Sequence, residues 1–159
     1  MINTMNTAII YYSKHHGNTK KLLDAIAAEN EVTLIDVTAE PITDLSPFDR
    51  IGIASGIYYS SFAKQILTYA SEYLPEGKDV FFIYTHGAPK GVFLKGIREI
   101  TNAKNCKEIG SYGCRGYDTY GPFKLLGGIA KGHPTAEEIK GAVEFFKSLS
   151  GTERFKVSP

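Results

Sequence analysis

Two hydrophobic periods take turns along this chain. Ala8-Ile9-Ile10-Tyr11-Tyr12 is a short apolar run and predicts a first strand. Leu22, Leu23, Ile26 and Ala27 then follow helical spacing. The β-branched run Val32-Thr33-Leu34-Ile35-Asp36 predicts a second strand. Pro41 and Pro47 leave the next connection room for little more than a helical turn. Ile51-Gly52-Ile53-Ala54 predicts a third strand, and Ala63, Ile66, Leu67, Ala70, Tyr73 and Leu74 form one apolar helix face. Val80-Phe81-Phe82-Ile83-Tyr84 is apolar throughout, as in a strand buried on both sides. Phe93, Ile97 and Ile100 predict a helix, and residues 106–113 a weaker fifth strand. The last helix opens behind Pro134 on a capping box, Thr135 with Glu138. It continues through Ile139, Ala142, Val143, Phe146 and Leu149.

Five strands alternating with helices predict an α/β fold, a doubly wound parallel sheet with helices on both faces. Right-handed crossovers give that arrangement. One domain is expected over residues 1–159, with a core of about 7–150 and loosely ordered ends, the tail beginning near Gly151. Ligands of such sheets sit at the carboxyl ends of the strands, where the winding reverses. Three loops should therefore converge: residues 13–19, 55–61 and 85–91.

Composition narrows the classes. With 43% apolar residues the chain is ordinary for a soluble protein. No apolar run is long enough to span a bilayer, and the start lacks a signal-peptide pattern, so no membrane partner is expected and the cytoplasm is the expected compartment. The net charge is +1, with both signs well mixed and no basic stripe, which argues against nucleic acid. Cys106 and Cys114, if on one strand, lie about 26 Å apart at roughly 3.3 Å per residue, too far to bridge. Both are expected as reduced, packed thiols.

The first loop, Ser13-Lys14-His15-His16-Gly17-Asn18-Thr19, joins the first strand to the first helix. Open N–H groups and the positive dipole end favour an anion at such a helix start. Gly17 permits close backbone approach, and Ser13, Asn18 and Thr19 add side-chain hydrogen bonds. The other loops, Ser55-Gly56-Ile57-Tyr58-Tyr59-Ser60-Ser61 and Thr85-His86-Gly87-Ala88-Pro89-Lys90-Gly91, are rich in small and planar residues. Phosphate at one end and aromatic faces at the other suit a flat ring on a phosphorylated chain.

Together these loops resemble those of the flavodoxins, whose phosphate loop runs from a hydroxyl residue through a short spacer to Gly-Asn-Thr. The resemblance spans about residues 7–150. It implies a flavodoxin-like sheet of five parallel strands in the order 2-1-3-4-5, with flavin mononucleotide (FMN) as cofactor. Ser13, Lys14, His15, His16, Gly17, Asn18 and Thr19 are then expected at the phosphate. Ser55, Gly56, Ile57, Tyr58, Tyr59 and Ser60 would border one side of the ring, with Tyr58 or Tyr59 stacked on it. Thr85, His86, Gly87 and Ala88 would line the other side. In flavodoxins a peptide of the second loop can flip to hydrogen-bond the flavin N5 proton gained on one-electron reduction, and Gly56-Ile57 is the counterpart. The resemblance implies a monomeric carrier of single electrons between redox partner proteins, a reductase donor and an acceptor enzyme, with no catalytic acid or base.

Three features depart from that pattern. The first loop is one residue longer than the commonest form. The chain is near neutral where familiar flavodoxins are acidic, with Lys14, His15, His16, His86 and Lys90 in the two nearest loops. A cation about 6 Å from the ring would stabilise its anionic reduced form by about 1 to 3 kcal/mol, so a less negative second potential is expected. A long segment, residues 114–134, precedes the last helix. Its Phe123, Leu125, Leu126 and Ile129 argue for packing, and Arg115 and Tyr117 are not assigned to the site. The His15-His16 pair lacks further ligands at workable spacing for a metal. A receiver domain needs an Asp where Ser55 stands, and a tyrosine phosphatase needs a Cys and Arg that the first loop lacks. The remaining alternatives are an FMN-dependent NAD(P)H:quinone-type oxidoreductase and a flavin-sensing module.

Overall fold

The computed structural model describes residues 5–14, 17–88, 91–117 and 130–157, the last seven by backbone alone. Its elements are β1 (Thr7–Tyr12), α1 (Asn18–Glu29), β2 (Thr33–Asp36), β3 (Arg50–Tyr58), β4 (Ser61–Phe62), α2 (Lys64–Tyr73), β5 (Asp79–His86), α3 (Lys95–Ala103), β6 (Lys107–Arg115) and α4 (Ala136–Val157). The sheet runs β2-β1-β3-β5-β6, and each of these pairings is parallel. Counted without β4, that is the expected order 2-1-3-4-5. The two-residue β4 is an addition that folds back antiparallel on the end of β3.

The pleat explains the continuous apolar runs. Successive side chains point to opposite faces, and here both faces are covered. Ile9, Phe81 and Ile83 pack with Leu22, Leu23 and Ile26 of α1 and with Phe146 and Leu149 of α4. Ile10, Ile53, Val80 and Phe82 pack on the other face with Ile66 and Ala70 of α2 and Ile97 of α3. Each such side chain contributes about 1.5 to 3 kcal/mol by leaving water. β6 is an edge strand with mostly part-exposed residues, which is why its pattern reads weakly in the sequence. Cys114 lies in β6 and Cys106 just before it, and both are buried, free thiols. Burial, with the Glu138 charge beside it, pushes the Cys114 thiol up to about 12. The capping box at α4 forms: Glu138 N–H donates to Thr135 Oγ1 (3.2 Å), and Thr135 N–H donates to Glu138 Oε1 (2.8 Å). α4 continues to Val157, past the Gly151 where a tail was expected. Among the described residues, no helix is long and apolar enough to cross a membrane.

Gly52 is the tightest point of the central strands. It pairs with Ile9 on one side and Phe81 on the other. A Cβ there would stand 2.5 Å from the Phe81 ring and 2.9 Å from Ile9 Cγ1. The Phe81 ring is itself wedged against Phe145 and Phe146, at 6.3 and 5.9 Å between centroids, so it has nowhere to retreat. Gly52→Ala is expected to cost about 1 to 3 kcal/mol by overpacking. Scanning calorimetry should show Tm falling by roughly 2 to 4 °C per kcal/mol. An unchanged Tm would mean that the aromatic layer yields more easily than its packing implies.

Candidate functional site

Gly17 caps α1 in the left-handed region (φ 64°, ψ 23°), a conformation that glycine adopts without steric cost. The first intrahelical bond runs from Lys21 N–H to the Gly17 carbonyl (3.1 Å). The N–H groups of Asn18 and Thr19 precede it, as orphan donors of the first turn do. The Lys20 N–H goes to Ser13 Oγ (3.0 Å), which leaves the Ser13 hydrogen free to donate outward. Thr19 Oγ1 meets Thr85 Oγ1 at 2.9 Å, tying this loop to the end of β5. Asn18 is only 6% exposed, and its Nδ2 donates to the Tyr117 carbonyl (2.7 Å). Its Oδ1 is buried with no hydrogen-bond partner among the described residues.

The second loop is shorter than the sequence suggests, because β3 runs four residues past Ala54. Tyr58 pairs with Ser61 and Ile57 with Phe62, so Tyr59-Ser60 is a two-residue hairpin turn. Both turn residues have positive φ, 48° and 63°, the pattern of a type I′ turn built without the usual Asn-Gly. Ser55 lies wholly inside the sheet, with its Oγ accepting from Ala63 N–H (2.9 Å) and donating to the Gly56 carbonyl (2.6 Å). The hydroxyl therefore fixes both the entry to α2 and the orientation of the Gly56-Ile57 peptide. The Tyr58 ring stands edge-on to Tyr12, with centroids 6.3 Å apart.

β5 and β6 stay paired to their carboxyl ends, where His86 sits opposite Arg115. Beyond that pair, Gly116 N–H donates to the His86 carbonyl (3.0 Å). His86 Nδ1 lies 2.5 Å from the Ala88 carbonyl oxygen, and its ring packs on Phe93 at 5.0 Å. A Cβ on Gly116 would approach Asn18 Nδ2 to 2.8 Å, so glycine there makes room for the Asn18 amide.

These segments border a narrow cleft that opens to solvent. Its lining brings together Ser13, Asn18 and Thr19 from the first loop, Gly56, Ile57 and Tyr58 from the second, and Thr85, His86 and Gly87 from the third. Gly116 and Tyr117 complete it and were not assigned to it by sequence. Their signal was the ladder running two residues beyond Gly113, which an edge strand hides.

Six expected residues are not among those that line the cleft. Gly17 is the helix cap. Ser55 is inside the sheet, because its hydroxyl serves the hairpin and α2. Tyr59 is 74% exposed on the turn, with Ser60 beside it. Ala88 holds the His86 ring. Lys14 points to Asp36 at 3.9 Å rather than to the cleft. Burial opposes ionisation of Asp36, but hydrogen bonds from Thr38 outweigh it, and with Lys14 and Lys20 they hold the carboxyl below its usual range. That partner offsets the cation expected from Lys14. His15, His16 and Lys90 lie outside the described residues.

The donor set has a clear chemical requirement. The first turn of α1 and the Ser13 hydroxyl offer hydrogens to an anion, whereas Asn18 Oδ1 needs a donor. A hydroxylated chain ending in phosphate satisfies both, so the residues fit an FMN-type group. The turn itself is strained, since non-glycine residues at positive φ are disfavoured. Ser60→Gly is expected to stabilise the fold by up to about 1 kcal/mol. Urea unfolding should show a higher midpoint at unchanged slope, and a lower midpoint would show that the Ser60 side chain itself supports the turn.

The family model for the flavodoxin domain matches residues 9–92. An uncharacterized protein of Methanocaldococcus jannaschii is 36% identical over 147 residues, covering 91% of this chain and 98% of that protein. Oxidised flavodoxin 1 from Bacillus cereus shares the fold with a TM-score of 0.67 at 16% identity, over 92% of this chain and 98% of that one. A flavodoxin variant from Fusobacterium nucleatum, solved with flavin mononucleotide bound, gives a TM-score of 0.63 at 15% identity, over 92% and 96% of the two chains. At such identities these two structures speak for the fold alone. The family match covers more than half of the chain and includes all three loops that build the cleft, and on that match the chain belongs to the flavodoxin family.

Proposed function

We propose that this chain binds FMN in the cleft and carries single electrons between redox partner proteins, a reductase donor and an acceptor enzyme. The observation that carries the reading is the pairing of an open helix N-terminus with the orphaned Asn18 Oδ1 in one cleft. Ser13, Asn18 and Thr19 would hold the phosphate end, with Asn18 Oδ1 taking a hydroxyl hydrogen of the linking chain. Tyr58 and the Thr85, His86 and Gly87 backbone would flank the ring. The flavin supplies the redox chemistry, and the protein supplies binding, orientation and electrostatics. Exposed Tyr59 and Val92, the latter 79% exposed, give partner proteins apolar contact on the two loops beside the cleft. The free, buried cysteines suit a reducing cytoplasm, and the protein is proposed to act there as a monomer.

One observation favours a second reading, an FMN-dependent NAD(P)H:quinone-type oxidoreductase. The Gly56-Ile57 peptide, the counterpart of the one that flips in the carrier reading, is held at its carbonyl by Ser55 Oγ (2.6 Å). A peptide so held favours two-electron exchange over separate single-electron steps.

Flavin fluorescence titration tests the site. FMN should bind on the order of 100-fold more tightly than riboflavin, the worth of two charge-assisted hydrogen bonds at about 1.5 kcal/mol each. Equal binding of both flavins would remove the phosphate from the first loop. A potentiometric titration of the loaded protein separates the two readings. Two resolved one-electron steps with no bleaching by NADPH support the carrier, and a single two-electron step with rapid bleaching by NADPH supports the oxidoreductase.

A further inference from the structure

Glu138 holds more than the start of α4. Its Oε1 accepts from Thr135 N–H (2.8 Å) and stands 2.5 Å from His133 Nδ1. Its Oε2 accepts from the Arg115 N–H at the end of β6 (3.3 Å). The carboxylate thus joins the helix cap to the two backbone segments on either side of Tyr117. Tyr117 N–H donates to the His133 carbonyl (3.1 Å), and the Tyr117 carbonyl accepts from Asn18 Nδ2 (2.7 Å). Gly116, between Arg115 and Tyr117, is fixed to His86 (3.0 Å). Hydrogen bonds and the short stretches of chain between them therefore link Glu138 through Arg115 and His133 to Tyr117, and from there to the Asn18 amide.

A capping box needs only the reciprocal bonds between Thr135 and Glu138. The contacts to Arg115 and His133 add nothing to the cap. They bear on the wall of the cleft, because Gly116, Tyr117 and Asn18 all line it. Asn18 Nδ2 is committed to Tyr117, and that commitment aims Oδ1 at its unmet donor. Shifting Tyr117 frees the amide to turn and removes the acceptor from its place. Ligand groups are held well only when the residues behind them are themselves fixed.

We propose that Glu138 is a positioning residue for the cofactor cleft: its carboxylate fixes Tyr117 through Arg115 and His133, and Tyr117 orients the Asn18 side chain toward the ligand. The effect on affinity rests on the FMN reading, whereas the effect on Tyr117 and Asn18 does not.

Two readouts on the full chain test it: the FMN dissociation constant, and the amide signals of Gly116, Tyr117 and the Asn18 side chain in a ¹⁵N-labelled, ligand-free sample. Thr135→Ala is the control, since it removes the reciprocal cap but leaves the Glu138 carboxylate its partners. Glu138→Ala should weaken FMN binding about fivefold, the loss of roughly one net hydrogen bond of about 1 kcal/mol to a ligand hydroxyl. It should also shift the three sets of amide signals. Thr135→Ala, with a similar loss of Tm, should keep affinity within about twofold and leave those signals in place. Glu138→Gln keeps an oxygen for Thr135 and His133 but cannot accept from Arg115, and it gives the same test with less risk to folding. It should produce a smaller change in the same direction. Wild-type affinity with unmoved signals in Glu138→Gln overturns the proposal, as does an equal loss of affinity in Thr135→Ala. If the wild-type chain binds no FMN, the flavin reading fails, and the amide signals alone still decide the role of Glu138.

Discussion

Burial of β1, β3 and β5 on both faces is the constraint on which the rest of the structure depends. A strand covered on both sides has no wet face for a polar side chain, and an unpaired polar group there costs several kcal/mol. Polar chemistry is therefore driven to the strand ends. At the amino end, buried Arg50 donates from Nε to Thr7 Oγ1 (3.1 Å) and lays its guanidinium 5.6 Å from the centre of the Phe146 ring. At the carboxyl end stand Thr19, Ser55 and Thr85, buried and each hydrogen-bonded. The cleft opens there because it is the edge at which backbone donors, hydroxyls and loop glycines can coexist with a dry core.

Short hydroxyl side chains fasten that edge. Ser13 binds the first turn of α1, Thr19 binds Thr85, and Ser55 binds both Gly56 and the start of α2. Apart from the bond of Ser55 to its neighbour Gly56, each joins two segments that are remote from each other or only loosely joined through a loop. Collectively they hold three loops in one arrangement before any ligand arrives, which lowers the ordering cost of binding. The exception is the Tyr59-Ser60 turn, where two residues occupy a disfavoured backbone region within the closed hairpin. Strain of that kind concentrates at functional sites, and this turn carries the exposed Tyr59 beside the cleft.

What the sequence made legible follows from the same physics. The run from Val80 to Tyr84 announced two-sided burial, and the Thr135/Glu138 spacing announced a helix start. Side-chain period and local capping are encoded within a few residues, so both could be read. The hairpin was hidden because Tyr-Tyr-Ser-Ser contains none of the glycine or asparagine that marks a tight turn, and because β3 outruns its apolar stretch. Gly116 and Tyr117 were hidden because β6, half-exposed at the sheet edge, has no strong alternation from which to judge its end. Ser55 and Lys14 sat in the right loops, but only three-dimensional partners, Ala63 N–H and the Asp36 carboxylate, decide which way each points.

Those partners also change the electrostatic picture. Lys14 faces Asp36, and Lys20 is bound to Asp24 (2.5 Å) while its ammonium lies 5.7 Å from the Tyr11 ring. Exposed pairs of this kind add little stability, but each cancels the far field of its lysine. Among the described residues, what remains directed into the cleft from the first loop is the α1 N-terminus and a set of hydroxyl and amide dipoles. Such dipoles act over the first turn of the helix and fade beyond it. An anionic phosphate close to Asn18 and Thr19 would therefore feel them strongly, and a ring farther along the cleft would feel them weakly. The chain can be near neutral overall and still bind a dianion, because the attraction comes from aligned backbone groups rather than from net charge.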